Sequence, residues 1–515
     1  MWTFQSDTYQ LNTAPGPNAV IHNKWLSSFV SLASGALSVL AFAPFGLWLV
    51  LPFTLAIFFW LMFHCQTARS GFRVGYLFGL GLFGAGVYWL YYSLHLFGGA
   101  VGPLAGVGTL LFVMGMALYS AIFGLVTFRF GKSWHWPLLT APAFWLLFEW
   151  WRSWFLTGFP WLNAGYSTLN SPLAGYAPVG GVFLNSLVLA LCSGLLAFAF
   201  IFRRPMNFFI ACVGIILLSV GGYGLKSVQW TTPIDNREVD VTMVQGNIAQ
   251  ELKFQPNLID DSIELYSSLS ETGAELVIWP ESAIPTVYSD LAGWEEDFAT
   301  RMAQNGTTVV SGGFTSNNDF SRFYNAIKVL NGTEDQVYEK RHLIPFGEFT
   351  PFRDLITTLS ELVTIPMSDL TPGSGPIAPV TVNDVNYAMS ICYEDAFGSE
   401  MRGQFPKANV LVNVSNDAWF GDSTAPHQHQ EIAAMRSLEF GRPMLRVTNT
   451  GVSSLIDHHG SIVTQGPQFE AVAIDVTVTP RQGITPYVRV GDWLATGLAV
   501  LMLVVAWLSG RRKVR

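Results

Sequence analysis

The sequence predicts a multi-pass α-helical membrane domain of about eight spans, carrying one large α/β domain before its last span. Three observations predict it. Half of the 515 residues are hydrophobic and only 12% are charged, and the mean hydropathy is +0.35; a water-soluble enzyme of this length is less apolar. The apolar residues gather in runs close to the roughly 20 residues that a spanning helix needs. After residue 226 the composition turns polar, and short strand-like stretches alternate with helical ones.

Taken in order, residues 1–24 are polar and read as a frayed N-terminal cytoplasmic segment. Their basic region is long and weak, and further apolar runs follow, so no signal peptide is expected. Apolar runs lie near 25–43, 47–64, 75–97, 104–128, 138–157, 180–202 and 207–225, giving a seven-span domain over 25–225. Pro142, Pro160 and Pro172 break the stretch 138–180. An eighth run, 493–509, precedes a basic tail, so residues 492–515 form a last span and a cytoplasmic end.

Basic residues set the orientation. Lys24, Arg69, Arg73, Arg129, Lys132, Arg203, Arg204, Arg511, Arg512, Lys513 and Arg515 all fall on one side of an eight-span arrangement, whereas the opposite short loops carry only Arg152. Both termini are therefore predicted in the cytoplasm. Residues 226–491 lie outside it, which for a bacterial inner membrane means the periplasm. The net charge of −8 and the lack of a basic stripe exclude nucleic acid as a partner.

Within 238–485, strands are predicted at 239–244, 274–279, 307–312, 323–330, 387–392, 409–414 and 444–449, and helices at 257–271, 294–304 and 428–440. Of four cysteines, Cys65, Cys192 and Cys212 sit in or beside apolar runs, and Cys392 is the one in the polar domain. In an oxidising compartment an unpaired thiol points to chemistry rather than to a staple. Cys392 ends a strand-like stretch, where a nucleophile stands clear of its sheet. Glu281 ends another, Leu276–Trp279 followed by Pro280, and Lys340 stands beside a third. Glutamate, lysine and cysteine suit acyl chemistry: the carboxylate takes the thiol proton, the sulfur attacks a carbonyl, and the ammonium meets the oxyanion.

The phrases WPES at 279–282, KRHLIPFGEF at 340–349, ICYE at 391–394 and NVSNDAWFG at 413–421 resemble the nitrilase, or carbon–nitrogen hydrolase, superfamily, and within it the integral-membrane apolipoprotein N-acyltransferase family. The resemblance implies a nitrilase-like α/β/β/α sandwich over 226–491 with Glu281, Lys340 and Cys392 catalytic. It implies supporting places for Glu348, Glu394, Tyr393 and Asn416, and no cofactor or metal. It further implies a phospholipid acyl donor, a Cys thioester and, as acceptor, the N-terminal amine of an apolipoprotein's diacylglyceryl-cysteine. A membrane-tethered amidase acting on a soluble amide would share these catalytic residues, but a tether needs one span rather than eight. A transporter or lipid-binding scaffold would have no use for the Glu–Lys–Cys set.

Other features have plainer readings. His427, His429, His458 and His459 lack companion ligands at metal-binding spacing. Aromatic segments such as Tyr88–Tyr92 read as interfacial belts. Glu149 and Arg152 could pair one helical turn apart or border a lipid headgroup. Residues 350–369 mix apolar and polar residues between prolines, as expected of an amphipathic arm over a lipid entrance.

Overall fold

The computed structural model describes residues 23–130, 132–330, 336–350 and 369–511. The arm expected at 350–369 thus falls almost wholly outside the described residues. All eight apolar runs are helical. They form α1 (Lys24–Ser38), α2 (Val50–His64), α3 (Ala68–Gly86, continued by turns over 90–97), α4 (Gly102–Thr127), α5 (Ala141–Arg152), α6 (Ala177–Phe202), α7 (Pro205–Lys226) and a C-terminal helix, Trp493–Arg511.

Helix length departs from the eight-span expectation. Among the described residues, five helices are long and apolar enough to cross a membrane, and α3 with its continuation, bent by 63°, would make a sixth. Helix α2 has 15 residues and α5 has 12. The run at 138–157 stops early because Leu156 and Thr157 take left-handed φ values of 53° and 73° and Gly158 one of 89°, which turns the chain out of the helix. A Cβ on Gly158 would lie 2.3 Å from the Ser153 carbonyl oxygen, so this turn requires glycine.

Small residues let the first helices close on one another. Gly71, Gly75 and Gly79 recur every four residues along α3 and face the α4 backbone. A Cβ on Gly75 would stand 2.0 Å from the Ser120 carbonyl oxygen. Such contact replaces the hydrophobic drive that helices lack among lipid tails.

Between α7 and the C-terminal helix the chain folds into two six-stranded sheets. One runs β13-β2-β3-β4-β5-β6 and the other β12-β11-β10-β9-β8-β7, with β1 and β14 pairing as a clasp. The strands are β1 Thr231–Pro233, β2 Val239–Gln245, β3 Leu276–Ile278, β4 Thr308–Ser316, β5 Phe323–Leu330, β6 Val337–Glu339, β7 Val380–Val382, β8 Val385–Ile391, β9 Val410–Ser415, β10 Met444–Thr448, β11 Ser454–Ile456, β12 Ile462–Gln465, β13 Val472–Val478 and β14 Arg481–Gly483. The central trios β2-β3-β4 and β8-β9-β10 are parallel, and such strands are buried on both faces.

Alternation along the strands separates two cores. Val241, Met243, Ile278 and Val310 face inward and join Tyr387, Met389 and Ile391 of the second sheet. Val244, Val277 and Val309 face outward under α8 (Ile259–Leu269) and α9 (Ala292–Gln304). The outer helix of the second sheet is α10 (Ala425–Phe440), which packs on β10 on one side and on α6 of the membrane domain on the other. Fourteen of its 16 residues are buried, so it lacks the polar face of a surface helix. At this seam the Val182 amide at the start of α6 donates to Glu439 Oε1 at 2.6 Å.

Candidate active site

Cys392 follows β8 directly and opens a tight turn, Cys392–Ala396. Its φ is +52°, a conformation unfavourable for a residue with a side chain. The turn needs support, and Glu394 supplies part of it. One carboxylate oxygen accepts from the backbone amides of Arg341 (2.7 Å) and His342 (3.2 Å). The other accepts from the Ile391 amide (2.8 Å) and the Tyr338 hydroxyl (3.0 Å). Glu394 thereby ties the end of β8 to the segment that carries Lys340. Its pKa is raised, burial being the main cause.

Lys340, just past β6, is fully buried, with Nζ 2.9 Å from Glu348 Oε1 and 3.5 Å from Glu281 Oε1. Burial pushes its pKa down, but the two carboxylates overcome this and hold the ammonium well above its usual range. Asn325 of β5 links the same acids, donating to Glu281 Oε1 (2.8 Å) and Glu348 Oε1 (3.0 Å). The remaining oxygens are also occupied: Glu281 Oε2 accepts from the Asn416 amide at 2.8 Å, and Glu348 Oε2 from the Ile344 amide at 2.9 Å. Both carboxylates are thus fixed in position.

The Cys392 thiol is buried in this cluster. Its pKa is pushed well above the usual thiol range, first by burial and next by Glu281, against the opposing pull of Lys340. A thiol so held stays protonated at neutral pH, so forming the nucleophile requires a base beside it. Glu281, Lys340 and Cys392 come from three separate stretches and meet at one point. Glu348 and Glu394 join them through hydrogen bonds, and Asn416 through its backbone N–H to Glu281. Tyr393 instead points to the membrane domain, donating to the Gly158 carbonyl at 3.2 Å and lying 6.2 Å from the Trp161 ring.

Several contributors carried no motif. Lys253 is buried and donates to the Glu281 carbonyl at 3.0 Å, and its pKa falls to about 7, chiefly through burial. Glu149 and Arg152 brace the loop that bears Trp161. Arg152 donates to the Trp161 carbonyl and to Asn163 Oδ1, each at 2.6 Å, and Glu149 Oε1 accepts from the Ala164 amide at 2.8 Å. Trp89, read as an interfacial aromatic, donates its indole N–H to Gln428 Oε1 at 3.2 Å, and Trp161 does the same at 2.6 Å. The floor of the site is therefore shared between both parts of the chain.

Against the Cys392 backbone lies a second buried cluster of His429, Asp395, Asp417 and Arg446, each at most 1% exposed. The signal for it was a charged residue in an otherwise apolar strand, Arg446 in Met444–Thr448. Among the described residues no group of three or more His, Cys, Asp and Glu side chains is disposed to hold a metal ion.

Comparison with known proteins agrees with this architecture. Residues 34–195 match the family profile described as the apolipoprotein N-acyltransferase N-terminal domain, and residues 240–482 match the carbon-nitrogen hydrolase profile. The apolipoprotein N-acyltransferase of Photobacterium profundum is 36% identical over 498 residues, 94% of this chain and 95% of that protein. The enzyme of that name from Methylococcus capsulatus is 39% identical over 489 residues, 94% and 96%. Its namesake from Nitrosomonas europaea is 38% identical over 503 residues, 95% and 99%. With a helix bundle and a nitrilase-like domain matched along nearly its whole length, the chain belongs to the apolipoprotein N-acyltransferase family.

Proposed function

We propose that this membrane protein transfers an acyl chain from a phospholipid, through a thioester on Cys392, to the N-terminal amine of an apolipoprotein's diacylglyceryl-cysteine. The supporting observation is the buried Cys392 thiol, set in a strained turn within reach of the charges of Glu281 and Lys340. Glu281 accepts the thiol proton as Sγ attacks the ester carbonyl, and Lys340 stabilises the oxyanion that forms. Collapse of the tetrahedral intermediate breaks the ester C–O bond, and the proton on Glu281 passes to the departing lysophospholipid alcohol. The acceptor amine then attacks the thioester and sheds a proton to Glu281, the C–S bond breaks as the amide forms, and that proton returns to Sγ to regenerate the thiol. Glu348 and Asn325 keep Lys340 and Glu281 in register, and Glu394 holds the turn.

The membrane domain fits a reaction in which both substrates are anchored by acyl chains. Counting all eight helices as crossings, the short α2 and α5 included, the loop charges of Arg69, Arg73, Arg129, Lys132, Arg203 and Arg204 lie on one side, and on that reading we place the catalytic domain, residues 226–491, on the periplasmic side of a bacterial inner membrane. The test supplies purified protein in phospholipid-containing micelles with a peptide that begins with diacylglyceryl-cysteine. A gain of one acyl group on the peptide amine is expected. Fatty acid released to water with the peptide unmodified would favour a hydrolase instead.

A further inference from the structure

The His429 cluster has no part in the proton transfers above, yet it touches the nucleophile's own backbone. His429 Nε2 lies 3.2 Å from the Cys392 carbonyl oxygen and 3.0 Å from Asp395 Oδ1. Nδ1 lies 3.1 Å from Asp417 Oδ1. That oxygen already accepts from the Ser415 hydroxyl at 2.8 Å. Every atom that the two ring nitrogens address is an acceptor, so both nitrogens must carry protons. From β10, Arg446 reaches Asp417 Oδ2 at 2.9 Å and Asp395 Oδ2 at 3.4 Å. It also holds Asn413 Oδ1 at 2.6 Å, which turns the Asn413 amide to donate to the same Cys392 carbonyl at 3.1 Å. The Trp161 ring of the membrane domain also lies near, 5.5 Å away. Burial and Arg446 work against the charged ring, but Asp395 and Asp417 outweigh them and raise its pKa to about 9.

We infer that His429 is a positioning residue: as an imidazolium it grips the Cys392 carbonyl together with Asn413, and so holds the left-handed turn that presents Sγ to Glu281 and Lys340. Two N–H donors on one carbonyl suit a backbone that would otherwise relax to negative φ. The inference rests on Cys392 being the nucleophile, and its test has a readout that does not require the thioester.

Removing His429 alone would leave the two aspartates facing a single cation, so the comparison is made in an Asp395→Asn background, where an acidic and a basic group leave together. D395N/H429Q keeps an N–H donor at position 429 and D395N/H429L has none. Two rates are measured per folded molecule in a background without the other three cysteines: alkylation of Cys392 by iodoacetamide, and thioester formation from phospholipid. We expect the glutamine variant to stay within about 10-fold of the parent. The leucine variant should be slower by roughly 10- to 100-fold, the size of one charge-assisted hydrogen bond, with KM for phospholipid unchanged. Equal rates in the two variants would overturn the inference. If the parent is alkylated but forms no thioester, the proposed function fails while the alkylation comparison still decides the role of His429. A further readout needs no variant that must fold: 15N-histidine spectra of the unaltered protein at about pH 8 should show one ring with both nitrogens protonated. Only neutral rings there would also overturn it.

Discussion

Replacing Glu394 by glutamine changes one oxygen to an NH2 group at nearly constant volume, in a side chain that is 4% exposed. The carboxylate accepts four hydrogen bonds, three from backbone amides, and glutamine has only one oxygen to offer. If its NH2 group faces Arg341 and His342, two amides lose their acceptor. If it faces Ile391 and Tyr338, the tyrosine hydroxyl can rotate to accept, and only the Ile391 amide is stranded. The second arrangement is the cheaper one. A stranded buried donor costs about 1–3 kcal/mol, and here the cost falls on the residue immediately before Cys392. Expressed in the population of the competent turn, that is roughly a 5- to 150-fold loss. The assay is the rate of Cys392 alkylation and of thioester formation, read beside thermal unfolding in detergent. Since burial raises the Glu394 pKa, acidification should reproduce the loss reversibly as the carboxyl takes up a proton. An E394Q protein with unaltered rates and unaltered unfolding would refute the bracing role.

Other outcomes follow from the same geometry. Lys340→Ala should lower thioester formation by 10²–10³-fold, about 2.7–4 kcal/mol as for an oxyanion donor elsewhere, and leave Glu281 and Glu348 without their shared cation; near-normal turnover would remove Lys340 from the mechanism. Gly75→Val should cut the amount of folded protein recovered from membranes, because its Cβ meets the Ser120 carbonyl at 2.0 Å and overpacking costs about 1–3 kcal/mol or more; normal yield and unfolding temperature would contradict the tight α3–α4 contact. His429 has a folded pKa of about 9, above its unfolded value of about 6.5. Its contribution is therefore fully present below about pH 6.5, is lost as pH rises through 9, and amounts to roughly 3 kcal/mol. Thermal unfolding across that range should show this slope in the parent and not in D395N/H429Q, where an acidic and a basic group leave together; matching slopes would count against the charged ring.

Most long strands of the catalytic domain were legible because alternation and β-branching are strong over five or more residues, but the seven-residue β13 was not among those expected. β2, β5, β8, β9 and β10 lie close to their expected positions. β1, β6, β7, β11 and β14 have three residues each, too few for a period to register; the equally short β3 was found from the apolar stretch Leu276–Trp279 that contains it. Helix α10 was found but for its first three residues, whereas its burial depends on α6, far away in sequence. In the site, Glu281, Lys340 and Cys392 could be read from strand ends and motif wording, since each ends an apolar stretch with a reactive group. Asn325 and Lys253 could not, because a polar residue within a strand or short helix acquires its meaning only when another strand brings Glu281 to it. His429 was read against metal spacing, whereas its partners are two carboxylates and a carbonyl from two separate segments, the turn Cys392–Ala396 and the stretch around Asp417. The eight-helix count was legible from hydropathy; the shortness of α5 was not, because it depends on a left-handed turn and on where the Arg152 guanidinium finds its acceptors.

The proposed reaction stands or falls on Cys392 carrying the acyl group. The most direct measurement is the intact mass of the purified protein after incubation with a phospholipid of defined chain length and no acceptor, followed by fragmentation to locate any added mass. One added acyl group is expected on Cys392, lost to hydroxylamine and on addition of a diacylglyceryl-cysteine peptide, and absent from a folded Cys392→Ala variant. An acyl group found on another residue, or an alanine variant that still acylates the peptide, would contradict it.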